Sequence, residues 1–234
     1  MAVDPANQIR SILLACTVEQ RQSIIKLLRS EYRIHRIEQQ WNTSAEIVLE
    51  ALARSGELTE RIFKGILAEA ACKVEVIDRL AGWKDVTPVG MHAFDFAVER
   101  GREHVTIQTK LQRKKSGEPF MYRVPGRRGP ATTYYVVETQ KTRGGNKKLT
   151  GEKTRPYRFG EFDLLAVSME PSTQDWSQFR FTAGNWLLPR RGDSGLVAVY
   201  QPVSLTPNSD WTDSLATAIQ WLHSNTKKTI SEAG

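Results

Sequence analysis

The stretch His92–Lys115, HAFDFAVERGREHVTIQTKLQRKK, decides how the rest of the chain is read. Its centre alternates as a β-strand does. Val105, Ile107, Thr109 and Leu111 share one face; Thr106, Gln108, Lys110 and Gln112 share the other. Such a strand is apolar enough to be central, yet it carries a lysine. Just ahead of it Asp95 sits between Phe94 and Phe96, which alternation turns to the face opposite the aspartate. A turn signal, Glu99-Arg100-Gly101, separates the two segments, and a hairpin between them would make them neighbours. In such a hairpin Asp95, Gln108 and Lys110 can converge on one patch.

That patch has a chemical logic. A buried carboxylate needs a partner or a metal, and a hard cation such as Mg²⁺ takes oxygen ligands. Asp95 offers a carboxylate and Gln108 an amide oxygen. A neighbouring peptide carbonyl, such as that of Thr109, offers a third oxygen. Lys110 is suited to position or deprotonate an attacking water and to offset charge developing on a phosphate.

Working outward, period-two patterning predicts strands at Lys73–Ile77, His92–Glu99, His104–Gln112, Thr133–Gln140, Phe162–Met169 and Gly195–Tyr200. Turn signals at Gly126–Pro130, Gly144-Gly145-Asn146 and Arg191-Gly192-Asp193 separate several of them. Upstream, residues 6–40 read as helical. SAEIVLEALARS (44–55) follows the cap residues Asn42-Thr43-Ser44, and ELTERIFKGILAEAAC (57–72) sets Leu58, Ile62, Ile66 and Leu67 along one stripe. A closing helix is expected from about Asp210 to His223, entered through Asn208-Ser209. The tail Asn225–Gly234 is expected to fray. Helices, then strands, then a mixed region and a last helix predict an α/β (α+β) domain with a central mixed β-sheet flanked by helices. The expected organisation is an N-terminal helical region (1–55), a core (56–205) and a C-terminal helix and tail (206–234).

At 234 residues the chain is long enough for a sizeable core. No apolar run approaches the ~18 residues of a membrane span. Asp4 and Pro5 interrupt any signal-peptide pattern, and Cys16 and Cys72 lack metal-ligand spacing. A cytoplasmic protein with reduced thiols and no membrane contact is therefore expected. The net charge of +7 favours a polyanionic partner. Between Lys110 and Arg158 there are fourteen Lys and Arg against three acids, with aromatic, Pro and Gly residues interleaved. Lys114, Lys115, Arg123, Arg127, Arg128, Arg143, Lys147 and Lys148 are the expected nucleic-acid contacts, chiefly to phosphates. Arg127-Arg128, held between Gly126 and Gly129, is the first choice for reading guanine in the major groove.

Asp95 followed by Gln108-x-Lys110 on the next strand resembles the PD-(D/E)xK nuclease superfamily in its Gln-x-Lys variant, to which many type II restriction endonucleases belong. The resemblance covers roughly residues 56–170. YYVVETQKTRGG and YRFGEFDLLAVSM resemble the family's downstream core strands. Two departures stand out: Ala93-Phe94 precedes Asp95 in place of a Pro, and Gln108 stands where an acid is usual. The resemblance implies a restriction-endonuclease-like core and a Mg²⁺-dependent DNA endonuclease working on double-stranded DNA as a homodimer. Asp95, Gln108 and Lys110 would be its catalytic residues. Gly56-Glu57-Leu58-Thr59-Glu60 resembles the family's Gly-x-x-x-Glu helix entry, which adds Glu60 as a catalytic and metal-ligating residue beside Asp95 and Gln108. The rival readings are a catalytically inactive DNA-binding module of the same fold and an RNA-binding protein.

Overall fold

The computed structural model describes residues 4–32, 36–124, 132–141, 155–224 and 226–230. The chain divides into two compact units, Met1–Arg61 and Ile62–Gly234.

The first unit holds helices α1 (Pro5–Ala15), α2 (Val18–Glu31), α3 (Arg36–Gln40) and α4 (Ala45–Ala53), and the start of α5 (Glu57–Ala71). Local signals set these helices. Asp4 caps α1 ahead of Pro5. Thr17 and Gln20 form a reciprocal capping box on α2, and Ser44 caps α4. Glu38 is buried and its carboxylate accepts from Ala45 N–H at 2.8 Å, which ties α3 to α4. Neither α1 nor α4 buries a residue.

The second unit is built on a five-stranded sheet. In chain order the strands of this unit are β1 (Lys84–Asp85), β2 (Phe96–Arg100), β3 (Glu103–Leu111), β4 (Lys114–Lys115), β5 (Glu118–Pro119), β6 (Met121–Val124), β7 (Thr132–Glu138), β8 (Leu164–Ser168), β9 (Phe179–Ala183), β10 (Pro189–Arg190), β11 (Asp193–Val197) and β12 (Tyr200–Val203). The main sheet runs β1-β2-β3-β8-β9; β3 and β8 are parallel and every other pair is antiparallel. A second sheet runs β12-β7-β6, antiparallel throughout. It joins the first where Gln112 bridges Val137. Two short helices complete the unit, α6 (Glu170–Thr173) and α7 (Leu215–His223).

Both faces of the main sheet are covered, and β8, which lies between β3 and β9, is buried at every residue. On one face Ile107, Leu164, Ala166 and Phe181 pack with Cys72, Leu215, Ala218 and Ile219 from the helices. On the other, Leu165 and Val167 pack with Phe162, Trp186, Val203 and Trp211. Asp163 locks the parallel register: one carboxylate oxygen accepts from Thr106 N–H (2.8 Å) and from its hydroxyl (2.7 Å).

The central mixed sheet with helices packed against it is the architecture expected from the sequence, but several elements differ. Lys73–Ile77 is not a strand. The helix runs on through a wider π-type turn, Cys72–Ile77. Five alternating residues fit either period, and in the π turn Cys72 and Ile77 both reach the core. His92–Asp95 is irregular and the strand starts at Phe96, because Phe94 packs into one core cluster and Phe96 into the other. Strict alternation would have kept the two rings together. The segment Gly195–Tyr200 is split between β11 and β12. Strand β9 falls in the region whose pattern was mixed. The last helix begins at Leu215, capped by Ser214, because Thr212 pairs with Phe181 through two backbone bonds and Trp211 is buried. The tail does not fray as a whole: Thr226 C=O accepts from Trp186 Nε1–H, and Ile230 is buried. The turn signals at Gly126–Pro130 and Gly144–Asn146 lie outside the described residues. Cys16 and Cys72 are both free thiols, and among the described residues no helix is long and apolar enough to cross a membrane.

Candidate active site

The hairpin register that pairs Phe96 with Ile107 sets Asp95 opposite Gln108. Asp95 N–H still donates to Ile107 C=O at 3.0 Å, although the regular strand has ended. One Asp95 carboxylate oxygen accepts from Gln108 Nε2–H (2.5 Å) and from Thr109 N–H (2.7 Å). The same Gln108 amide also donates to Thr109 C=O at 3.0 Å. The amide NH₂ therefore sits between a carboxylate and a peptide carbonyl. Gln108 and Thr109 are each 2% exposed, so these oxygens lie largely out of water.

Asp95, Gln108 and Lys110 line a single cleft of about 660 Å³. Its wall from the helical side carries Ile66, Glu69, Ala70 and Lys73; Tyr157 and Lys141 also reach it. Both lysine ammonium groups lie over the Tyr157 ring, Lys110 at 5.5 Å and Lys141 at 5.2 Å from its centre. Lys141 is paired with Glu161 at 2.7 Å. Glu138 is paired with Arg113 at 2.9 Å and accepts from the Gln140 amide, so the VETQK stretch serves as a flank to the cleft.

The electrostatics mark the cleft as a shared site. Burial pushes the Asp95 carboxyl up, against the pull of Lys110 and of Thr109 N–H. Burial pushes the Lys110 ammonium down, against Asp95, Glu69 and Glu138. Glu69 is raised to about 7, first by burial and then by Asp95, with Lys110 opposing. Cys72, behind the site, is pushed up to about 12 by burial, which leaves it an inert thiol. Groups displaced in opposite directions within one cleft are a mark of functional sites.

Glu69 was not visible as a site residue in the sequence. It lies on α5 nine positions beyond Glu60, which is exposed in the first turn of that helix. The usable signal was spacing: Ile66, Glu69, Ala70 and Lys73 share a helical face, so the apolar stripe carries a carboxylate.

The donor set fits a hard divalent cation. Rotating the Gln108 amide by half a turn would present its oxygen beside those of Asp95 and Thr109, with the Glu69 carboxyl in the same cleft. Among the described residues no three His, Cys, Asp or Glu side chains converge, so such a site would rest on two carboxylates with an amide and a carbonyl.

Of the expected nucleic-acid contacts, Lys114 and Lys115 are exposed on the short β4–β5 hairpin and Arg123 is exposed on β6. Arg127, Arg128, Arg143, Lys147 and Lys148 lie outside the described residues. Asp163 and Glu161 are engaged in the register lock and the Lys141 pair.

No family model matches the chain, and no curated protein matches it. Among solved structures, the bacterial homing endonuclease I-Ssp6803I superposes with a TM-score of 0.38 at 18% identity, over 66% of this chain and 83% of that one. A superposition that loose carries no argument about chemistry, which rests on the residues above.

Proposed function

We propose that the protein is a DNA endonuclease that hydrolyses phosphodiester bonds with a Mg²⁺-type cation, in the manner of a type II restriction enzyme. The convergence of Asp95, Gln108, Lys110 and Glu69 on one cleft carries this reading. Asp95, the Gln108 and Thr109 oxygens and Glu69 would hold the cation; in this role Glu69 replaces Glu60. When bound, the cation supplies Lewis-acid polarisation of a phosphoryl oxygen. Lys110, its proton affinity lowered by burial, accepts a proton from the attacking water and then faces the charge that grows on the phosphate. Lys114, Lys115 and Arg123 orient the DNA backbone. A homodimer acting on a palindrome belongs to the same reading, and exposed Ile12, Leu14 and Leu49 on α1 and α4 would serve its interface.

A second reading, a DNA-binding module without catalysis, is favoured by one observation: the Gln108 amide already satisfies Asp95 without any cation. Plasmid cleavage with Mg²⁺ or with EDTA, beside Asp95→Ala and Lys110→Ala, separates the two. Discrete Mg²⁺-dependent fragments that vanish in both variants are the expected result. DNA binding by all three proteins with no cleavage of methylated or unmethylated plasmid would overturn the nuclease in favour of the module.

A further inference from the structure

The second sheet carries a pocket that the cleft chemistry does not use. Its volume is about 410 Å³, within the range of small-ligand sites. The register explains its lining. Tyr122 pairs with Tyr134, Pro202 with Val136, and Tyr200 with Glu138. Val136 N–H also donates to Phe120 C=O. Period two then sets Phe120, Tyr122, Val136 and Tyr200 on one face of the sheet, with the buried Val136 as floor between aromatic walls. Tyr122 and Tyr200 are 57% and 51% exposed.

Cations frame these rings. The Arg113 guanidinium lies 4.7 Å from the centre of the Tyr200 ring and 5.9 Å from that of Phe120. The Lys115 ammonium lies 5.4 Å from Phe120. Arg191 lines the pocket, is exposed, and makes no hydrogen bond or ion pair among the described residues. A cationic guest would be repelled by this frame, and an uncharged apolar one would make no use of the positive charge of Arg191 at the rim. A planar ring joined to an anion satisfies both the aromatic faces and the arginine.

We propose, resting on the DNA reading above, that this pocket takes one unstacked nucleobase of the bound DNA, stacked on Tyr122 and Tyr200, with its phosphate against Arg191. The nucleotide is a near neighbour of the one at the cleft. Arg113 lies three residues past Lys110, about 10 Å of extended chain, and its partner Glu138 is among the groups that act on Lys110. The substrate class is thus duplex DNA in which a base beside the cleavage point is displaced from the stack.

The test uses the full chain in EDTA and three probes of one sequence: a paired duplex, the duplex with a single bulged 2-aminopurine, and the duplex with an abasic nucleotide in the bulge. The bulged base should bind about 5- to 150-fold tighter than the abasic bulge, the range for one stacked base, with 2-aminopurine emission quenched on binding. Tyr122→Ala and Tyr200→Ala should bring the bulged base down to the abasic level, while Tyr122→Phe and Tyr200→Phe keep the preference. Equal binding of the bulged and abasic probes by the unaltered protein overturns the pocket and leaves the DNA reading standing. No binding to any of the three overturns both.

Discussion

Replacing Glu69 with glutamine gives a sharp test of the cleft electrostatics. A carboxyl ordinarily near 4.5 is held at about 7 in the folded protein. The unfolded chain releases that proton near the ordinary value. Between the two pH values the folded state holds more protons, so stability falls as pH rises through this window and stays low above it. At about 1.4 kcal/mol for each tenfold change in proton affinity, the interval sets a ceiling of about 3.4 kcal/mol. Glu69 is only partly buried and water screens it, so about 1.5 kcal/mol is the expected size. Glutamine imitates the protonated acid at every pH. Glu69→Gln should therefore match the unaltered protein near pH 4.5 and exceed it by about 1.5 kcal/mol near pH 8. Urea unfolding in EDTA reads this directly. With a slope of about 2 kcal/mol per molar, the midpoint at the higher pH should rise by about 0.7 M. A difference between the two proteins that is the same at both pH values would refute the reasoning.

Two further outcomes follow from the same geometry. Under the nuclease reading, stabilisation by Mg²⁺ should be small near pH 6 and larger near pH 8, because a cation must displace the proton that burial holds on Glu69; thermal shifts with and without Mg²⁺ at the two pH values check it. Gly184→Ala should destabilise by about 1–3 kcal/mol in urea unfolding, since the added carbon would stand 2.6 Å from the Phe162 carbonyl oxygen, a backbone atom that cannot swing aside.

The part of the site legible in the sequence is the part made by one hairpin. Asp95, Gln108 and Lys110 are brought together by a two-strand register with a glycine turn, and period two is enough to put them on one patch. Glu69 comes from a helix, and only the packing of that helix on the sheet selects it over Glu60; nothing local distinguishes the two. Lys73–Ile77 was misread for a related reason. Its alternation is genuine, but the choice between strand and π turn is made by the core that receives Cys72 and Ile77. Strand β9 was missed because five residues, Phe-Arg-Phe-Thr-Ala, are too few to stand out before they pair with β8. The late start of the last helix depends on Thr212 pairing with Phe181, a long-range bond that Asn208-Ser209 does not announce.

If the nuclease reading holds, the Gln108 amide has a consequence for the protein in the absence of a cation. Two N–H groups face the Asp95 carboxylate and the Thr109 carbonyl, where a metal would otherwise offset their negative charge. The residue is thus a built-in stopper. Under that reading the cleft would hold its shape without an ion, and chelation should stop cleavage without unfolding the protein. Seating an ion would then take one torsional turn of the Gln108 amide and the surrender of its two hydrogen bonds. An aspartate or glutamate at position 108 could not play this part: it would add a like charge beside Asp95 and make the vacant site self-repelling. A neutral amide in that place would trade some grip on an ion for a resting state that is already at ease.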